Sequence, residues 1–296
     1  MHTMNSLLSG SLVSLAVTSL SFSPVPAAGS PVSAVGSLVP GAGEAGKIAA
    51  MAVAAVAGQQ GVQLSGKAAA TSNSLYRTGQ ISGTRCRAGR IIAGNAASYR
   101  RFMTRVNRCL GRTWAAQFRK AGLPFSQPTL RFVTSRVSSP CGRWPTGAGG
   151  YYCSSNRTMY IGVTRRVLQN PYAPNHAQFM AHEYAHHLQQ LAGILPYYGQ
   201  SAWQARTGVR LALSRRLELQ ADCLAAVFLR GAARDLEVTR EHWEAMLEWT
   251  TENGHKTWPT NDHGKGRSQA FWMRRGFDSG SPASCNTWTA SSRSVS

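Results

Sequence analysis

Two histidines and a glutamate lie at spacings that could bind a metal ion and use it to hydrolyse a bond. His182 and His186 are four residues apart, so on a helix both imidazole rings lie on one face and can point at a single ion. Glu183 lies about 100° further round the same turn, where its carboxylate could take a proton from a water molecule. This is the HExxH pattern, in which zinc hydrolases have two histidine ligands and a glutamate general base.

A third ligand must come from elsewhere, because catalytic zinc sites use three protein ligands and keep one position for water. Glu218, 32 residues after the second histidine, is the candidate. Asp222, one helical turn further on, could hold a ligating histidine by a hydrogen bond. Between Glu44 and Asp235 the only carboxylates are Glu183, Glu218 and Asp222. This acid-poor stretch therefore contains just the three carboxylates that such a site requires.

Hydrolysis of an amide also needs a hydrogen-bond donor for the oxyanion that develops on the carbonyl oxygen. His263 is the first candidate for this catalytic role, and four other side chains are alternatives: Tyr151, Tyr152, Tyr197 and His242. His187 lies round the helix from the histidine pair. We expect it to support packing or to face solvent rather than to bind the metal.

The chain is strongly basic, with a formal net charge of +20 over 296 residues. Between Arg77 and Arg166 there are 17 Lys or Arg and no Asp or Glu. Such a balance favours anionic partners, whether acidic polymers, nucleic acid, or an anionic membrane or wall surface. We expect no specific nucleic-acid binding, because the chain has no zinc-finger spacing, RNP-like motif or aromatic-basic stripe. A basic exported protein is the simpler interpretation.

Residues 1–75 differ from the rest in being rich in Ala, Ser, Gly and Val, with only three charged residues. The apolar run at 7–20 is too short and too polar for a membrane span but resembles the core of a secretory signal. Cleavage could follow 25–27, or a later signal at 47–57. We therefore predict a signal peptide and a low-complexity linker or propeptide over 1–75, and the catalytic domain over 76–290. The protein is expected to be secreted or associated with the cell envelope.

The six cysteines agree with export, because an even number in an exported chain indicates disulfides, although six allow 15 pairings. Cys141 with Cys153 is the favoured pair, since it would close a short glycine-containing loop between two strand-like segments. The remaining pairs would then be Cys86 with Cys109, and Cys223 with Cys285. The cysteines lack C-x-x-C spacing, which argues against thiolate zinc ligation.

Hydrophobic periodicity predicts both helices and strands. The predicted helices are 76–120, 174–191, 208–229, 239–251 and 266–275, the last capped by Gly276, and the strands are 130–137, 151–153 and 159–163. The histidine pair and Glu218 would therefore lie on two packed helices, which is a rigid way to build a metal site.

Several segments, in this order, resemble the bacterial putative neutral zinc metallopeptidase family, within the zincin group. They cover roughly 130–288 and are Cys141 to Cys153, the sequence AHEYAHHLQ at 181–189, ELQADC at 218–223, Asp262-His263-Gly264, Arg274 to Phe277, and Cys285-Asn286. The pairing of ELQADC with HExxHH is specific. Ala185 stands where the family tends to have Gly, and Asn156 where an Asp is expected, so any role of that acid is lost here.

The resemblance implies an α+β, zincin-like fold, with a small, mostly antiparallel sheet packed on the HExxH helix and a largely helical C-terminal part. It also implies one Zn2+ per chain bound by His182, His186 and Glu218, with Glu183 as base and Asp222 supporting a ligand. Region 76–290 would then be a zinc metallopeptidase domain.

The predicted function is that of an exported endopeptidase, in which a zinc-activated water and Glu183 hydrolyse the peptide bonds of a peptide or protein substrate. Two alternatives stay open. One is a zinc-bound, weakly catalytic or non-catalytic protein that binds anionic polymers of the cell envelope. The other is an amidase acting on cell-wall peptides.

Overall fold

The fold is described by a computed structural model for residues 63–145, 148–257 and 260–296. The two predicted signal segments lie outside these residues. The described chain contains eight α-helices and five strands, and none of its helices is both long and apolar enough to cross a membrane. The helices are α1 (Gly66–Thr71), α2 (Ala96–Lys120), α3 (Arg165–Leu168), α4 (Ala173–Leu191), α5 (Ile194–Trp203), α6 (Thr207–Ala232), α7 (Arg240–Asn253) and α8 (Gly266–Ser279).

The sheet is small and mixed rather than mostly antiparallel. Its strands are β1 (Thr129–Val133), β4 (Gly150–Cys153) and β5 (Thr158–Gly162), and a separate hairpin pairs β2 (Ser138–Ser139) with β3 (Gly142–Arg143). The order is β1-β5-β4, with β1 parallel and β4 antiparallel to the central β5. Alternation of apolar residues identified these strands but carries no information about which strand pairs with which. The overall α+β class is as expected.

The helices that carry the site form the centre of the fold. Helix α6 packs against α4 on one side and α8 on the other, while α2 and strand β4 also pack against α4. One continuous core joins these elements, with Trp114, Tyr184 and Phe228 among its fully buried side chains. The HExxH helix is therefore enclosed by packed neighbours, and its side chains have little freedom to move.

The predicted helix over 76–120 is wrong in its first part. The chain is irregular from 79 to 95, and α2 begins at Ala96, where the Asn95 side chain accepts a hydrogen bond from the Ser98 amide. Gly79, Gly89 and Gly94 have positive φ in this stretch, a backbone state that an α-helix cannot contain. The strand predicted at 130–137 is also shorter, ending at Val133. The predictions of α4, α6 and α7 hold to within three residues at each end.

Gly276 is not a helix cap, contrary to the sequence prediction. It lies inside α8, and the left-handed cap is Gly280, with φ of 59°. A Cβ at 276 would clash with the backbone carbonyl of Cys223 on α6, so this glycine permits the close approach of the two helices. The three disulfides are those predicted: Cys86–Cys109, Cys141–Cys153 and Cys223–Cys285.

The division of the chain at residue 75 stays a prediction. The structure adds that residues before this point already belong to the packed fold. Helix α1 contacts α5, and the buried side chain of Asn73 donates to the backbone oxygens of Ala69 and Ala192.

Candidate metal centre

Two imidazoles and one carboxylate converge on a single point between α4 and α6. The Nε2 atoms of His182 and His186 are 3.2 Å apart, and each lies 3.3 Å from Oε2 of Glu218. These three residues form a cluster able to hold a metal ion. Ligands bound to zinc at about 2.0–2.1 Å in a tetrahedron lie roughly 3.3 Å from one another, so the observed spacing fits this ion.

The hydrogen bonds behind the rings fix which nitrogen faces the cluster. Nδ1 of His182 lies 2.8 Å from Oδ1 of Asp222, and Nδ1 of His186 lies 2.9 Å from Oε1 of Gln189. Both partners are acceptors, so both Nδ1 atoms carry the proton and, in the neutral rings, each Nε2 presents a lone pair. The Gln189 amide cannot be reversed, because its nitrogen donates to the Leu217 carbonyl and to the Gln220 side chain. Two lone pairs and a carboxylate therefore face each other, an arrangement that a cation stabilises.

The charges around the site also favour a bound cation. Burial lowers the pKa of His182, but the carboxylates of Asp222 and Glu218 outweigh burial and hold this pKa well above its usual value. Burial raises the pKa of Glu218, yet the neighbouring His186 and His263 hold it well below the ordinary range. The site thus stabilises positive charge next to an ionised Glu218.

Glu183 lies beside the cluster with both carboxylate oxygens buried and without a hydrogen-bond partner among the described residues. Burial is the main reason why its pKa is raised, although His182 and His186 partly offset this effect. The backbone of Tyr152 is near enough to lower this pKa slightly, but not in hydrogen-bond geometry. A carboxylate so poorly solvated is a stronger base than one in water.

His263 is placed at the same site. Its Nδ1 lies 2.7 Å from Oδ1 of Asp262, and its Nε2 lies 3.5 Å from Oε2 of Glu218. It is not a member of the three-residue cluster. His263 therefore borders the cluster, with its ring oriented by Asp262.

The four alternative donors have other contacts. The Tyr152 hydroxyl hydrogen-bonds to His187, and Tyr151 stacks on Tyr160. Tyr197 packs against Trp288, and His242 against Tyr172. Of the five candidates, His263 is therefore the one whose contacts among the described residues include a member of the cluster, Glu218.

His187 neither faces solvent nor contacts the cluster, but joins the sheet to α4. It is fully buried, its Nε2 donates to the Ser126 carbonyl at 2.7 Å, and its Nδ1 accepts from the Tyr152 hydroxyl at 3.0 Å. Burial is the main reason why the pKa of His187 is lowered to about 4, so the ring is neutral at physiological pH. This fixes strand β4 against the helix that bears Glu183.

Two residues of the site were not predicted from the sequence. Gln189 lies three residues after His186 on the same helix face, a spacing that could have suggested its contact. Tyr198 lies on α5, a helix that hydrophobic periodicity did not predict. Burial is the main cause of its raised pKa, and the charges of Glu218 and Asp262 raise this pKa further. Nothing in the local sequence around Tyr198 indicated that it would lie near Glu218.

The site is least buried at His182 and Asp222. Their side chains keep 14% and 16% of their exposure, whereas those of His186 and Glu218 keep 5% and 6%. The Oε2 atom of Glu218 and both carboxylate oxygens of Glu183 are buried, so the atoms that would act on a metal and a water lie inside the protein.

Comparison with known proteins agrees with this geometry. The putative neutral zinc metallopeptidase family matches residues 27–288. The uncharacterized protein YpfJ of Escherichia coli K12 is 30% identical over 260 residues, covering 82% of this chain and 86% of its own. The uncharacterized protein Rv2575 of Mycobacterium tuberculosis is 26% identical over 196 residues, covering 56% of this chain and 64% of its own. No solved structure matches. The chain therefore belongs to the putative neutral zinc metallopeptidase family.

Proposed function

We propose that the protein is an exported, zinc-dependent endopeptidase whose site consists of His182, His186 and Glu218 as ligands and Glu183 as general base. One observation carries the proposal. The two Nε2 atoms and Oε2 of Glu218 converge at zinc-ligand spacing next to the buried Glu183 carboxylate, which has no hydrogen-bond partner among the described residues. A structural zinc site has no use for such a carboxylate.

A zinc ion bound by the three atoms would supply a Lewis acid, which lowers the pKa of a water molecule and polarises a substrate carbonyl. Glu183 would accept a proton from the attacking water molecule and would pass it to the leaving amine nitrogen. Asp222 and Gln189 hold the two imidazoles in the tautomer that presents Nε2.

His263 is proposed as the donor to the carbonyl oxygen as it becomes an oxyanion. The support is that its Nε2 lies 3.5 Å from Oε2 of Glu218 and that Asp262 accepts the Nδ1 hydrogen bond, so Nε2 would donate from the doubly protonated ring. A donor of this kind contributes about 3 kcal/mol to lowering the barrier. His263→Ala should therefore lower kcat by about 100-fold or more while the zinc content stays near one per chain. Loss of zinc in this variant would instead make His263 a ligand.

The experiment that tests the proposal compares zinc content and cleavage of an unstructured protein in wild type, Glu183→Gln and Glu218→Ala. We expect one zinc per chain in wild type, full zinc but no activity in Glu183→Gln, and much less zinc in Glu218→Ala. The matched control is Glu248→Gln, at an exposed position of α7, which should change neither quantity. A wild type without zinc would refute the site.

The same samples separate the alternative functions. Cleavage of wall peptides but not of unstructured protein would favour the amidase, with the same residues in the same roles. Stoichiometric zinc without cleavage of either substrate would favour the envelope-binding protein. Export is supported by three disulfides, which persist in oxidising compartments.

A further inference from the structure

Helix α2 carries a row of arginines along the side that faces solvent. The row consists of Arg101, Arg105, Arg108, Arg112 and Arg119, which are all exposed. They recur at intervals of three, four and seven residues, so they lie on one side of the helix. Arg119 lies 18 residues after Arg101, which is a rise of about 27 Å along the helix.

A second row lies beside the first. The irregular segment before α2 runs antiparallel to the helix and is joined to it by the disulfide Cys86–Cys109. The Arg112 guanidinium donates to the Arg85 carbonyl at 3.1 Å, and that of Arg105 donates to the Ala88 carbonyl at 3.4 Å. This segment adds three exposed arginines to the surface: Arg85, Arg87 and Arg90. The two rows together are called the basic face.

Among the described residues, no arginine of the basic face forms an ion pair with a carboxylate. Residues 77–166 contain no Asp or Glu, and among the described residues the carboxylate that hydrogen-bonds to the segment is that of Asp235, which accepts from the Cys86 amide. In the part of the chain that the structure describes, the only ion pair of an arginine with a carboxylate joins Arg274 to Glu244, on other helices. Eight like charges are thus held together by a helix and a disulfide despite their mutual repulsion.

We infer that the basic face docks the protein on an anionic phospholipid surface. A guanidinium group binds phosphate through paired hydrogen bonds, and clusters of four to eight basic residues on a helix bind anionic lipid headgroups. Two rows of arginines side by side match a flat array of phosphates, whereas a linear polyanion would follow only one row. Ile92, 58% exposed and two residues after Arg90, adds an apolar contact at the edge of the face.

The composition of the basic face also argues against single-stranded nucleic acid as the occupant. Proteins that bind it combine cations with aromatic rings on which bases stack. Among the described residues, the exposed large aromatic side chains are Trp203 and Phe271, which lie on α5 and α8. The basic face itself offers no exposed ring.

Docking through this face leaves the metal cluster uncovered. The opposite side of α2 packs on α4, where the Tyr99 and His176 rings meet at 5.2 Å. The metal cluster lies between α4 and α6, so α4 separates it from α2. The inference is thus independent of the proposed hydrolysis.

The test is co-sedimentation of the full chain with vesicles of phosphatidylcholine, alone or mixed with phosphatidylglycerol, at low and at high salt. The face variant combines Arg87→Gln, Arg90→Gln, Arg101→Gln and Arg108→Gln, which removes four charges without touching the hydrogen bonds that hold the segment. The control variant combines Arg206→Gln, Arg210→Gln, Arg240→Gln and Arg267→Gln, four exposed arginines elsewhere. Both variants have the same net charge. Thermal unfolding of both checks that they are folded.

We expect wild type to bind only the vesicles that contain phosphatidylglycerol, and to dissociate at high salt. Because each basic residue near an anionic surface strengthens binding about fivefold, the face variant should bind about 100-fold more weakly or worse. The control should stay within about threefold of wild type.

Three outcomes would overturn the inference. They are absence of vesicle binding by wild type, an equal loss in both variants, and tighter binding of a single-stranded oligonucleotide than of vesicles with the loss confined to the face variant. The last result would make nucleic acid the occupant.

Discussion

Gln189 provides the most direct test of how the chain prepares the metal cluster. Its side-chain oxygen is the acceptor for Nδ1 of His186, and its nitrogen donates to the Leu217 carbonyl at 2.8 Å and the Gln220 side chain at 3.1 Å. Gln189 is fully buried, so water cannot replace these contacts. Gln189→Leu keeps a similar volume but leaves the His186 N–H without an acceptor.

The expected loss has two parts. A metal ligand without its supporting hydrogen bond typically binds its ion 10- to 100-fold more weakly, or about 1.4–2.7 kcal/mol. A buried polar group left unpaired costs about 1–3 kcal/mol of folding free energy, and the His186 N–H is such a group here, whereas the Gln220 oxygen keeps a hydrogen bond from Trp288. We therefore expect zinc affinity to fall by 10- to 100-fold and the free energy of unfolding by about 1–3 kcal/mol.

Zinc affinity would be measured by competition with a chelator, and stability by denaturant unfolding of the metal-free protein. Gln190→Leu is the matched control, because it makes the same change at the next residue, whose side chain is less buried. An affinity of Gln189→Leu equal to that of Gln190→Leu would refute the idea that this amide orients His186.

Three further predictions concern pH, metal and packing. His187 has its pKa lowered to about 4, so the unfolded chain takes up a proton below about pH 6.5 that the folded chain does not. Stability should fall between pH 6.5 and 4 by up to about 3 kcal/mol, and denaturant unfolding of metal-free His187→Gln should lack this part of the dependence. Removing zinc with a chelator should lower the unfolding midpoint of wild type, since zinc at 100 times its Kd adds about 2.7 kcal/mol, whereas Glu218→Ala should respond much less. Gly276→Ala should destabilise the protein by about 1–3 kcal/mol because its Cβ clashes with the Cys223 carbonyl, while Gly208→Ala, with open space around it, should be neutral or stabilising in the same melts.

Local periodicity was enough to predict the elements that carry the metal cluster. The i, i+4 spacing of His182 and His186 places them on one helix face wherever that helix lies. The scarcity of acids left Glu218 as the available third ligand. The helices around these residues could also be predicted, because their apolar faces repeat at helical spacing.

Features that depend on a distant partner were predicted poorly. Glycine is typical of a helix cap, but the role of Gly276 depends on the close approach of α6, which no local sequence pattern predicts. The parallel pairing of β1 with β5 joins strands 25 or more residues apart. The segment before α2 was taken for helix, although its disulfide and its glycines hold it as an irregular strip along that helix.

The sequence by itself thus determined the donor atoms and the helices that carry them, since both follow from residue type and short-range spacing. Only the tertiary structure decided that Glu218 reaches the two imidazoles, that Gln189 and Asp222 set their tautomers, and that His263 borders the same point. It also brought scattered arginines into two adjacent rows. The physical reason is that hydrogen bonds and charges act over a few ångströms in space, whereas periodicity records only neighbours along the chain.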